Sequence, residues 1–238
     1  MFDYSNRVVI VTGAVGNLGA AVARAFQQAG ATLVLVDRGA ERLQQMFPEL
    51  TGSPDHFLAQ GVDIGDQPAV AAMVAEAVRR FGRIDVLVNT VGGYRAGIPL
   101  HETSLADWDF LHNLNARPVF IACHAVVPQM LKQGAGKIIN TSSAAGLHGE
   151  AGAAAYSASK SAVIRLTESL SAELKTSGIN VNCVLPGLID TPTNRAAIPG
   201  ADYSRWVTPE ALADIMLFLA SAQASAIHGV ALPVNGVG

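Results

Sequence analysis

The chain has 238 residues, half of them hydrophobic and only 15% charged, below the roughly 25% usual for soluble proteins. This balance predicts one large buried core in a single α/β domain, residues 1–238, with apolar surface left for a subunit interface. A formal charge of -3 without any Lys/Arg block excludes a phosphate-backbone surface, so nucleic acid is not an expected partner.

Two cysteines, Cys123 and Cys183, stand far apart and outside any metal-ligand spacing, which argues against a disulfide scaffold or zinc site. The start, Met1 to Arg7, lacks the pattern of an export signal, and no apolar run approaches a membrane span. A cytoplasmic protein with no membrane partner is expected.

From the beginning, Val/Ile/Leu runs alternate with helical patterns. Val8 to Val11 reads as a strand, and Leu18 to Ala29 as an amphipathic helix with Leu18, Val22, Phe26 and Ala29 on one face. Leu33 to Val36 reads as the second strand. Further strands are read at Phe57 to Val62, Ile84 to Asn89, Lys137 to Thr141, Asn180 to Leu185 and Val230 to Val234. Such alternation predicts a doubly wound, seven-stranded parallel sheet of Rossmann type with helices on both faces. The Gly- and Pro-rich stretch 186–206 reads as a loop that covers substrate.

The first strand-to-helix turn is Thr12-Gly13-Ala14-Val15-Gly16-Asn17-Leu18-Gly19. Glycines there let the backbone turn tightly and approach a pyrophosphate, whose charge the free N–H groups of the next helix stabilise. Asp37 ends the second strand where a carboxylate can accept hydrogen bonds from an adenosine ribose and repel a 2′-phosphate. NAD is expected on that ground, while the adjacent Arg38 would favour NADP.

Tyr156 and Lys160 lie four residues apart on one face of a predicted helix. Alone, the pair reads as an ordinary solvated one, and the case rests on what surrounds it. An ammonium beside a phenol favours the phenolate, and bringing the phenol near neutrality takes about 4 kcal/mol. Thirteen residues earlier, Ser143 follows a strand at the edge where α/β sheets bind ligands.

Together the glycine turn, Ser143 and Tyr156-Ser157-Ala158-Ser159-Lys160 resemble the short-chain dehydrogenase/reductase family along nearly the whole chain. The resemblance implies an oxidoreductase that moves hydride between nicotinamide and a small carbonyl or alcohol substrate, for example a 3-oxoacyl compound. It assigns Tyr156 as acid/base, Ser143 as substrate-orienting hydroxyl, and Lys160 as the group that lowers the tyrosine pKa and grips the nicotinamide ribose. Asn115 would hold a relay water. Among cofactor contacts it implies Gly13, Gly16, Asn17, Leu18 and Gly19 at the pyrophosphate, Asp63 with Ile64 near the adenine, Asn89 at the end of the fourth strand, and Pro186, Gly187, Ile189 and Thr191 over the nicotinamide. Asp63 and Asn89 serve equally well as turn or capping residues.

Two departures stand out. Asn17 occupies the family's usual second glycine position and would preserve the loop through its tolerance of left-handed geometry. Thr90-Val91 replaces smaller residues after Asn89, which demands repacking beneath the central strand. The stretch from Asp190 to Trp206 is similar to dihydropteridine reductases, an alternative reading at odds with Ser143, which those enzymes generally lack. A non-catalytic NADH-binding module is the other alternative. Arg95 and His148 are candidates for the substrate pocket, suited to a polar or anionic substrate, or else plain surface residues. Helices beginning near Asp107 and Ala153 resemble the family's four-helix interface, so a homotetramer or homodimer is expected.

Overall fold

The computed structural model describes residues 2–39 and 41–237. Seven strands, β1 Val8–Thr12, β2 Thr32–Asp37, β3 Phe57–Gln60, β4 Val86–Asn89, β5 Gly136–Thr141, β6 Ile179–Pro186 and β7 Ala231–Val234, form one sheet in the order β3-β2-β1-β4-β5-β6-β7. Every pairing is parallel, so all carboxyl ends lie along one edge. Between the strands run α1 Asn17–Gln28, α2 Arg42–Met46, α3 Gln67–Phe81, α4 Leu105–Asn115, α5 Arg117–Gln133, α6 Ala154–Leu174, α7 Pro192–Ala197 and α8 Pro209–Ala220. The expected single-domain Rossmann architecture is present.

Strand residues alternate between two cores. Val9, Val11, Leu33, Leu35 and Val88 face α1 and α8, meeting Val22, Phe26, Leu212 and Met216. Val8, Ile10, Val34, Val36 and Leu87 face α3, α5 and α6, meeting Val70, Val74, Val126 and Val163. With each such side chain contributing about 1.5–3 kcal/mol, burial on both faces holds the sheet rigid beneath its carboxyl edge.

Boundaries differ from the expected ones for local reasons. The fourth strand begins at Val86, not Ile84, because the Ile84 amide donates to the Gln133 side chain (2.9 Å). Gly61, at φ 71°, ends β3 before Val62. The helix expected from Asp107 starts at Leu105, with Ser104 Oγ accepting from the Asp107 amide (3.1 Å), and is divided at Ala116. Pro118 has no N–H to offer the carbonyl of Leu114, which explains the division.

Candidate active site

At the end of β1 the chain turns at Gly13, whose φ of +65° suits glycine. A Cβ there would stand 3.0 Å from Val91 Cγ2. At Gly19 the constraint is harsher, since a Cβ would lie 2.1 Å from the Gly13 carbonyl oxygen and 2.8 Å from Thr90 Oγ1. The two glycines thus let α1 press directly against the turn. No side chain caps α1 and no acidic residue sits in its first turn, leaving amides there for an anion.

Asn17 is the first helical residue and exposed. Left-handed geometry is therefore not what it supplies, contrary to expectation; among the described non-glycine residues only Asn6 has positive φ. Thr90 and Val91 are accommodated by this turn: Thr90 Oγ1 donates to the Thr12 carbonyl (2.6 Å) in the space that Gly19 leaves.

Along the same edge, Asp37 closes β2 and accepts the Gly39 amide at 2.8 Å, with Arg38 exposed beside it. Asp63 accepts the Gly65 amide (2.8 Å), a turn role, and Ile64 is buried. Asn89 ends β4, but its side chain is turned inward: it donates to Asn140 Oδ1 (2.9 Å), and Asn140 donates to Thr167 Oγ1 (2.9 Å). Only its backbone remains at the edge.

Tyr156 and Lys160 occupy the first two turns of α6, with 9% and 5% exposure. Lys160 Nζ donates to the Thr141 carbonyl (3.3 Å) at the end of β5. Asn115, fully buried at the end of α4, accepts the Gly93 amide (2.9 Å) and donates to the Gly93 carbonyl (3.1 Å) and Ser159 Oγ (2.9 Å). It clamps the strand end to α6, and both its donor hydrogens are committed. Gly92 permits this approach, since a Cβ there would lie 2.9 Å from Lys160 Nζ and 3.0 Å from Asn115 Oδ1. Ser143 follows β5, accepts the Ala145 amide (3.3 Å), and lies close enough to Tyr156 to favour its ionised form.

Burial governs the electrostatics. It pushes the Tyr156 phenol up, with further upward pressure from Tyr94 and Glu150 and a downward one from Ser143. Burial also pulls the Lys160 ammonium down to about 8. For each of the two groups the loss of surrounding water is the largest cause.

The segment after β6 is tied to β7 and to the chain before α8. Gly187 donates to the Val234 carbonyl (3.1 Å), and Ile189 bridges Val207. Thr191 caps α7 by accepting the Asn194 amide (3.2 Å), while Asn194 Nδ2 donates to the Ile189 carbonyl (2.8 Å). Asp190 pairs with Arg195, whose guanidinium lies over Tyr203 at 4.8 Å.

The sequence profile of the short chain dehydrogenases matches residues 7–201. The chain belongs to the short-chain dehydrogenase family. Among relatives, the 3-oxoacyl-[acyl-carrier-protein] reductase FabG of Thermotoga maritima is 35% identical over 238 residues, covering 97% of this chain and 96% of that protein. Among solved structures, NAD+-bound xylitol dehydrogenase matches with a TM-score of 0.88 at 28% identity, over 98% of this chain and 99% of that one. ElxO with NADP bound matches at 0.87 and 29%, over 97% of each chain. This short-chain dehydrogenase is accordingly an oxidoreductase of the CH–OH/C=O class, and its family uses a nicotinamide cofactor. The turn before α1 fits the phosphates of such a group, since the amides of the helix's first turn have no side-chain cap and no acidic residue beside them.

Two residues were expected at the substrate pocket of this short-chain dehydrogenase. Arg95 pairs with Asp107 and lies over Phe110 at 4.3 Å, so its charge is already answered. His148 is exposed on the stretch after Ser143. Sequence reasoning missed Tyr94, whose ring meets Tyr156 edge to face at 4.8 Å. Its position just past the carboxyl end of β4 was the available signal.

Proposed function

We propose that this short-chain dehydrogenase is NAD(H)-dependent and reduces or oxidises a small carbonyl or alcohol substrate, with Tyr156 as general acid/base. The observation that carries the reading is the convergence of Tyr156, Ser143, Lys160 and Asn115 on one corner beside the glycine cradle. When bound, the nicotinamide supplies or accepts the hydride. The turn from Gly13 to Gly19 would hold the pyrophosphate, Asp37 the adenosine ribose, and Asp63 and Ile64 the adenine. Lys160 would hold the nicotinamide ribose, with the Asn89 backbone, Pro186, Gly187, Ile189 and Thr191 around the ring.

Ser143 donates to the substrate oxygen and fixes it beside the phenol. Tyr156 then transfers the proton, and a buried phenol with raised pKa is held protonated, the form a reduction begins from. Asn115 fixes Gly93 and Ser159, and through them the distance between β4 and α6. A 3-oxoacyl compound is one fitting substrate, in keeping with the FabG relative.

Asp37 supports NAD over NADP. The segment 186–206, braced at Ile189 and Val207, would cover bound substrate. Exposed Phe120 on α5, above a groove between α5 and α6, supports assembly into a homodimer or homotetramer; a monomer in sedimentation equilibrium would sink that part. Among the described residues no helix is long and apolar enough to cross a membrane, and we place the protein in the cytoplasm.

The decisive experiment is Tyr156→Phe, assayed with NADH against a carbonyl panel alongside an NADH binding titration. Turnover should fall about 10²- to 10⁴-fold while NADH binding persists. Turnover close to wild type would refute the assignment. Tight NADH binding by the wild type with no turnover on any carbonyl would favour a non-catalytic binding module.

A further inference from the structure

Tyr94 is 69% exposed, more than Phe120 at 54% or Trp108 at 40%, yet it sits against the most buried tyrosine of the site. Its ring meets that of Tyr156 at 81°, and an edge-to-face pair at such exposure leaves a face of Tyr94 uncovered. The exposure does not arise from a loose loop. Gly93 is held from both sides by Asn115, Gly97 donates to the Gly152 carbonyl (2.8 Å), and Ala96 packs with Leu111, Ala145 and Tyr156. A braced backbone on either side presents an aromatic ring to solvent next to the proton-transferring hydroxyl. The neighbouring cation, Arg95, is meanwhile turned to Asp107 and Phe110.

We infer that Tyr94 is a specificity-determining residue: its exposed ring is the wall against which the substituent beside the substrate carbonyl lies, and it selects a planar, uncharged aryl group over a saturated ring of equal size. The inference rests on Tyr156 being the proton-transferring group. Planar groups gain most because aromatic pairs stabilise each other by about 0.5–1.5 kcal/mol beyond the area they bury, and a puckered ring gains only the area. Arg95, paired with Asp107 and laid over Phe110, adds no uncompensated charge to this wall.

The test uses acetophenone and cyclohexyl methyl ketone, which differ only in the planarity and saturation of the ring. Ligand-detected NMR titrations are run on the NAD+-loaded protein, in which neither ketone is reduced, for wild type, Tyr94→Ala and Tyr94→Phe. The kcat/KM of each ketone with NADH is then measured on the same proteins. Wild type should bind acetophenone more tightly, and Tyr94→Ala should weaken acetophenone about threefold to tenfold more than the saturated ketone. Tyr94→Phe should keep the preference. Equal losses on both ketones in Tyr94→Ala, or no preference or binding in the wild type, would overturn the inference. A Tyr94-dependent binding preference with neither ketone reduced would leave the wall standing and count against proton transfer by Tyr156.

Discussion

Lys160→Met is expected to stabilise the cofactor-free protein while abolishing its activity. The ammonium is 5% exposed, has the Thr141 carbonyl at 3.3 Å, and is drawn by burial from its ordinary 10.5 to about 8. At pH 7 both the folded and the unfolded protein carry this charge, and holding it in the interior costs about 3 kcal/mol at about 1.4 kcal/mol per unit. Methionine keeps the stem and loses the charge, while giving up one hydrogen bond of about 1 kcal/mol, so the net gain is about 2 kcal/mol.

The advantage shrinks with pH in a defined window. Between about 8 and 10.5 the unfolded chain still binds the lysine proton and the folded one does not, so the wild type grows more stable as pH rises through that range. At pH 9.5 the cost of Lys160 falls to about half, and the advantage of methionine nearly disappears. Urea unfolding of both proteins at pH 7 and 9.5, without NAD(H), measures this directly. A Tm rise of about 4–8 °C should accompany the gain at pH 7. If Lys160→Met is no more stable than wild type at pH 7, or if its advantage does not shrink at pH 9.5, the burial argument is wrong.

Gly19→Ala would place a methyl 2.1 Å from the Gly13 oxygen. Because that contact is backbone, relief requires α1 to shift, and a loss of about 1–3 kcal/mol is expected together with weakened NADH binding; unchanged melting and NADH titration curves would contradict the packing described for the turn. Asp37→Ala removes the carboxylate at the end of β2. The ratio of kcat/KM for NADH over NADPH should fall about tenfold to a hundredfold, the worth of one charged hydrogen bond, and a constant ratio would remove Asp37 from cofactor selection.

Seven strands and their parallel pairing were legible in the sequence because each βα unit carries its own hydrophobic period and its own turn chemistry within about thirty residues. The glycine turn, Ser143 and the Tyr156–Lys160 spacing were legible for the same reason, since each is a local pattern with a fixed place on its element. Pro118 was also in view, and its missing amide was enough to divide the helix at Ala116. What tertiary structure alone decided depends on distant segments meeting. Asn89 turns inward because Asn140 and Thr167 lie beneath it, Arg95 is withdrawn by Asp107 and Phe110, and Tyr94 stands beside Tyr156 because Asn115 and Gly152 hold its loop. The acid–base state of Tyr156 and Lys160 belongs to this second class. Spacing puts two groups on one face, but the water removed from around them sets how much each charge costs, and that follows from the packing of the whole molecule.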